Sequence, residues 1–288
     1  MKLMTSLAAR VFTVWLLLLG SAQAAEQGLL WQVSGKGVNG YLFGTMHSED
    51  PRVTTLPAPV QQALERAETL MLELSLDAGT QLAVAQAMML PQGSTLSDLI
   101  GKELARETER AMAGFGIPAE VTSQMQPWAS VLTLSMPKMA TGEVLDLLLY
   151  QQGQNSGKRF VALETPDEQM GIFTSLSVSE QKTLLSQVLK EHKTYPEMFE
   201  QLTMAYLERD LDAMVRLSEA NPMSSDTELQ KKMMSKLLEQ RNHRMVERII
   251  PELKQGTIFV GVGALHLPGE QGLVALLRER GYAVSALY

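Results

Sequence analysis

"GYLFGTMHSEDPRVTTLPAPVQQALERAETLMLELSL" runs from Gly40 to Leu76 and changes its hydrophobic period twice. "GYLFGT" (40–45) is a short apolar run, and "PAPVQQALERA" (57–67) spaces its apolar residues for a helix. "TLMLELSL" (69–76) is a nearly continuous apolar run of strand length. Strand, helix and strand in succession predict a sheet with parallel pairs and covered faces. Just upstream, "LLWQVS" (29–34) and "GYLFGT" flank the turn-rich "GKGVN", which predicts a hairpin.

From about residue 80 to 156 the pattern is helical. "STLSDLIGKELARETERAMAGFG" (94–116) reads as one helix ending at Gly114 and Gly116, and "GEVLDLLLYQQ" (142–152) as another. A strand returns at "KRFVALE" (158–164). Thr165, Pro166 and Glu168 then form a capping-box signature that starts a helix. "DTELQKKMMSKLLEQRNHRMVERII" (226–250) reads as a long helix stopped by Pro251. Strand "TIFVGV" (257–262), helix "EQGLVALLRERG" (270–281) and strand "YAVSAL" (282–287) close the chain. The expected fold is α/β: a mixed sheet flanked by helices, built from N- and C-terminal strand clusters, with a long helical middle as lid or second layer. No low-complexity linker divides residues 25–288, so one domain is expected there.

Residues 1–24 read as a cleavable signal peptide. Lys2 and Arg10 are basic, 11–20 is apolar, and Ala22-Gln23-Ala24 is a small-x-small cleavage site. The apolar run is short for a permanent span, so stable membrane insertion is not expected. Export to the periplasm or beyond is expected, with a mature chain starting at Ala25. That chain carries a charge of about −9, from 23 basic and 32 acidic residues. An acidic chain without basic runs argues against nucleic acid and anionic lipid as partners. Zero cysteines rule out disulfides and thiol catalysis.

Four residues carry the expected chemistry. His47 follows Gly44 after one strand, and His266 follows Gly263 after another, so Gly-x-x-His occurs twice. Glu73 lies near the end of a strand and Glu164 ends another. In open α/β sheets the carboxyl ends of the strands form the ligand crevice, which gathers two imidazoles and two carboxylates in one cleft. The two histidines are expected to end strands of one sheet and to face each other there, with both glycines letting the backbone turn. Such mixed donors suit zinc, manganese, iron or cobalt. Glu73, among Leu70, Met71, Leu72, Leu74 and Leu76, needs a cation: a metal, an arginine, or both. Arg241 and Asn242 can aim donors at a carboxylate or a developing oxyanion. Arg244 and Arg248 read as a solvated basic face, and His192 and His243 as surface residues.

With "LFGTMH", Glu73, "GEVLDLLL" with Asp146, "ALETPDEQ", "QRNHRM" and "VGVGALHLPGEQGL" in this order, the chain resembles the TraB/GumN family. Those proteins are bacterial relatives of the TIKI metalloproteases, within the erythromycin-esterase-like and ChaN-like superfamily. The resemblance implies a mixed α/β sheet and, for the TIKI branch, metal-dependent peptide-bond hydrolysis. Position by position it matches His47, Glu73 and His266 to the family's proposed active-site residues, and Arg241 with Asn242 to its Arg-Asn pair.

The combined expectation is an exported hydrolase, in particular a peptidase, acting on a peptide or small molecule. It would use a divalent ion (manganese, cobalt or zinc) held by a subset of His47, Glu73, Glu164 and His266. The alternative is a non-catalytic cell-envelope protein that binds haem, metal or peptide in the same cleft.

Overall fold

A computed structural model describes residues 27–288, so the signal-peptide reading of 1–24 lies outside the described residues. The two strand clusters join one six-stranded sheet in the order β4-β3-β5-β2-β1-β6. β1 is Leu30–Gly35, β2 Val38–Thr45, β3 Thr69–Leu72, β4 Arg159–Ala162, β5 Ile258–Gly263 and β6 Ala283–Ala286. β2, β5, β3 and β4 run parallel, while β1 pairs antiparallel with both β2 and β6. The sheet is therefore mixed, as expected.

The hairpin is tighter than the turn-rich stretch suggested. Lys36 (φ 54°) and Gly37 (φ 79°) alone form the loop, and Val38 already pairs with Gly35. Two positive φ angles match the right-handed twist of the flanking strands.

Two hydrophobic cores hold the chain. The larger surrounds the sheet, with Phe43, Met71, Phe259 and Val260 from the strands and Leu64, Leu149, Met245 and Ile249 from covering helices. β3 is buried at every position, which explains its unbroken apolar run. The second lies in the helical middle, where Trp128 stacks on Phe173 among Met112, Leu184 and Met233. The middle thus packs as a layer with its own interior.

Several boundaries differ from expectation: β4 ends at Ala162, two residues before Glu164, and the last helix is Leu273–Glu279. The single helix over 94–116 is two, Leu96–Ile100 and Lys102–Ala113, because Gly101 takes φ 86°, a left-handed value that ends one helix and redirects the chain. The long C-terminal helix does not stop before Pro251. It runs through Thr227–Met234, a π turn at Ser235–Glu239, and Gln240–Leu253. So near the helix end, Pro251 forfeits little beyond the bond that its missing N–H would make. The strand expected over 69–76 ends at Leu72, so Glu73 lies just beyond it.

Register places the site. Thr45 pairs with Gly263, Leu72 with Gly261, and Leu72 with Ala162. The carboxyl ends of four parallel strands therefore finish side by side, the place where open α/β sheets bind ligands. The two glycines do not act as turns: neither has positive φ. Gly44 lies within β2, and a Cβ there would stand 3.0 Å from the Cα of Ala264. Its absent side chain lets the segment after β5 pack onto β2.

Candidate active site

A cleft of about 270 Å³ opens at these strand ends. His47, Glu73, Asp146 and Gln169 are its polar lining, with Thr45 and Gly263 at the strand tips and Leu72, Leu74 and Leu76 as its apolar wall. A larger apolar cavity of about 490 Å³ near Phe115, Tyr195 and Phe199 shares no lining residue with it and holds no carboxylate. Of the four residues expected to carry chemistry, His47 and Glu73 line the smaller one.

Glu73 and Glu164 meet because the β3–β4 ladder outlasts the strands: the Glu164 N–H donates to the Glu73 carbonyl at 2.8 Å. Arg241, from the Gln240–Leu253 helix, joins the two side chains. Its Nη2 donates to Glu73 Oε2 at 2.6 Å and to Glu164 Oε2 at 2.7 Å, and its Nε also reaches both Glu164 oxygens. Its Nη1 donates to the Leu237 carbonyl inside the π turn. Arg244 adds a second guanidinium to Glu164 Oε1 at 2.8 Å. The Glu164 side chain is fully buried and both its oxygens are engaged by guanidinium groups. It stands as an anchor for two arginines, Arg241 and Arg244, where metal ligation was expected of it.

The solvated face expected for Arg244 and Arg248 is corrected as well. Arg244 bonds Glu164, while Arg248 grips Glu168 with both terminal nitrogens and also donates to the Leu163 carbonyl. Glu168 does double duty, since it also closes the expected capping box with Thr165. His243 is exposed as expected, with Nε2 against the Gln271 side chain, whereas His192 is half-buried and its Nδ1 faces the Leu189 carbonyl.

Glu73 carries the electrostatic weight of the cleft. Oε1 accepts from the Gly263 N–H at 2.7 Å, and Oε2 from Arg241 and from Gln169 Nε2 at 3.2 Å. Burial alone would raise its pKa. His266, Arg241 and the Gly263 N–H outweigh it and hold the carboxyl at about 2. The arginine that Glu73 called for is present.

His266 sits on the 3-10 turn Ala264–His266, buried beside Glu73 and outside the cleft lining. Its Nδ1 lies 2.5 Å from Asn242 Oδ1. Asn242 Nδ2 donates to the Gln271 carbonyl at 2.7 Å, which fixes the amide with its oxygen toward the imidazole. Nδ1 is therefore the protonated nitrogen, and the bare Nε2 faces Glu73 Oε1 at 3.7 Å. Burial holds His266 at about 4; Glu73 opposes that shift and Arg241 adds to it. Two lone-pair acceptors thus face one another at the cleft wall.

His47 follows β2 with its side chain 56% exposed, and its Nδ1 lies 3.9 Å from Asp146 Oδ2. Thr45 donates its hydroxyl to the other Asp146 oxygen at 2.8 Å. The two histidines follow adjacent parallel strands of one sheet, His47 two residues after β2 and His266 three residues after β5. They do not both open on the cleft: His47 lines it, and His266 reaches it through Glu73. Asp146 and Gln169 are cleft residues to which the sequence assigned no role. Both lie in blocks that carry the family resemblance, "GEVLDLLL" and "ALETPDEQ", but no sequence signal pointed either to a chemical role.

Imidazole nitrogen and carboxylate oxygen are donor types that divalent ions accept. As arranged, the donors come in pairs, His266 with Glu73 and His47 with Asp146. Among the described residues, no three histidine, aspartate or glutamate side chains cluster closely enough to hold an ion. Arg241 and Asn242, expected to face an oxyanion, direct the hydrogen bonds described above to protein groups.

The acid stability of the fold should record this site. His266 has a folded pKa of about 4 against an ordinary 6.5, so the unfolded chain binds the proton more readily. Its contribution is complete above pH 6.5 and declines as pH falls toward 4. Glu73 extends the loss below its ordinary 4.5, down to about 2. His266→Asn should flatten melting temperature against pH between 6.5 and 4. An unaltered slope in that variant would show that His266 does not titrate as its burial demands.

Residues 29–286 match the model of the TraB/PrgY/gumN family. Among curated proteins, the chain is similar to Metalloprotease TIKI2 of Xenopus tropicalis, with 26% identity covering 92% of this chain and 61% of the relative. Metalloprotease TIKI1 of Danio rerio is 26% identical, over 91% of this chain and 63% of the relative. Metalloprotease TIKI1 of Homo sapiens is 23% identical, over 91% and 62%. The chain thus spans about three fifths of the length of these relatives. No solved structure matches it.

Proposed function

The chain belongs to the TraB/PrgY/gumN family, and from that membership and the cleft chemistry we propose an exported, divalent-metal-dependent hydrolase, a peptidase in particular. The observation that carries the proposal is the bare Nε2 of buried His266 facing the ionised Glu73 at 3.7 Å. A ring nitrogen and a carboxylate oxygen at that distance suit a shared cation. The relatives named metalloproteases support the same reading.

In this reading Glu73, His266 and His47 hold the ion. When bound, it supplies Lewis-acid polarisation of a scissile carbonyl and acidifies water. The remaining side chains position and move protons. Asn242 keeps the His266 tautomer that bares Nε2. Arg241, anchored by Glu164, fixes the Glu73 carboxylate and keeps it charged. Asp146 lines the cleft with no arginine or lysine bonded to it among the described residues, which makes it the carboxylate suited to take a proton from water. Leu72, Leu74 and Leu76 offer an apolar wall to an uncharged stretch of substrate.

The test is turnover of a fluorescence-quenched peptide library by purified protein, with metal content measured before and after chelation. Cleavage lost on chelation and regained with manganese or cobalt supports the hydrolase. Metal or haem bound tightly without cleavage supports a non-catalytic envelope protein.

A further inference from the structure

His47 and Asp146 come from different elements, and something must set their spacing. The turn before the Leu145–Asn155 helix cannot do so by packing, because residues 140–143 are all exposed. Glu49, two residues beyond His47, does so by hydrogen bonding. Its Oε2 accepts from the Ala140 N–H at 2.7 Å, and its Oε1 from the Thr141 N–H at 2.8 Å and the Thr141 hydroxyl at 3.1 Å. The Gly142 N–H donates to Oε1 as well. Gly142 has φ 77°, a conformation suited to glycine, and three successive N–H groups converge on one carboxylate.

The turn continues stiffly toward the helix. Thr141 Oγ1 accepts from the Glu143 N–H at 3.1 Å, and the Val144 N–H donates to the Gly142 carbonyl at 2.9 Å. Beyond it, Thr45 holds Asp146 directly. The segment bearing His47 therefore grips the segment bearing Asp146 twice, once on either side of the histidine.

We propose that Glu49 is a positioning residue of this site: its carboxylate latches the 140–142 turn and so sets Asp146 against His47. The assignment rests on the hydrolase reading of the cleft. The Ala140, Thr141 and Gly142 N–H groups all donate to this one carboxylate, so the turn presents it with donors only. A glutamine would place a donor among donors and open the latch.

Glu49→Gln in the chain of residues 25–288 tests this, with Asp146→Asn and the double variant beside it. Backbone hydrogen exchange needs neither metal nor substrate. It should quicken at least tenfold at 140–142 in Glu49→Gln while the melting temperature stays near that of the unaltered chain. On the quenched peptide library with Mn²⁺, kcat should fall about tenfold or more with KM within about twofold, and the double variant should be no slower than Asp146→Asn. Unchanged exchange at 140–142 would overturn the latch whatever the activity. Quickened exchange with unchanged kcat would reduce Glu49 to a structural tie, and losses that multiply in the double variant would overturn its action through Asp146. An unaltered chain without turnover would remove the hydrolase reading, and Glu49 would then stand or fall as a latch on exchange alone.

Discussion

Glu164→Gln is expected to cost about 3–5 kcal/mol of folding stability, read as a shift in the urea midpoint. The glutamate side chain is fully buried, and it neutralises Arg241 and Arg244 together. Arg244 Nε is already buried without a hydrogen-bond partner among the described residues, so little else is at hand to compensate it. Glutamine keeps the shape and removes the charge, which leaves two guanidinium groups sharing Glu73 and the more open Glu168. Glu168→Gln, whose ion pair with Arg248 is partly exposed, should cost only about 1 kcal/mol. Equal losses in the two variants would mean that the buried cluster does not hold the sheet to the Gln240–Leu253 helix.

The second large effect concerns turnover. His47→Ala and His266→Ala are each expected to slow peptide hydrolysis about a thousandfold or more, and the double variant should be little slower than either. Residues that act as one unit lose their whole contribution when any member goes. The adjacent parallel strands β2 and β5 deliver both histidines to the same end of the sheet, and Glu73 stands beside His266 in the lining that His47 shares. Modest losses that multiply would make the histidines independent and would break the single-site reading.

The sheet was legible because its central strands are buried on both faces and so read as apolar runs. β2, β3 and β5 all show this, and the strand–helix–strand order called for parallel pairing. Glu73, Glu164, Arg241 and Asn242 were legible as chemistry because polar groups among apolar neighbours need partners. Their partnerships were not, since a basic residue's helical spacing says nothing about carboxylates arriving from another element. Arg244 and Arg248 therefore read as solvated, and Glu164 as a ligand when two arginines occupy it. Asp146 marked only a family block, and Glu49 was silent, for a different reason. Each sits where an acid is ordinary, one in a helix's first turn and one in a loop, and only the fold shows Thr45 on the first and three backbone N–H groups on the second.

The most direct measurement is an anomalous-difference map from crystals of residues 25–288 soaked with Mn²⁺. The account predicts a peak at the cleft wall, within about 2.0–2.3 Å of both His266 Nε2 and Glu73 Oε1, with His47 drawn in as third donor. A peak elsewhere, or a water alone between those two atoms at saturating Mn²⁺, would contradict it.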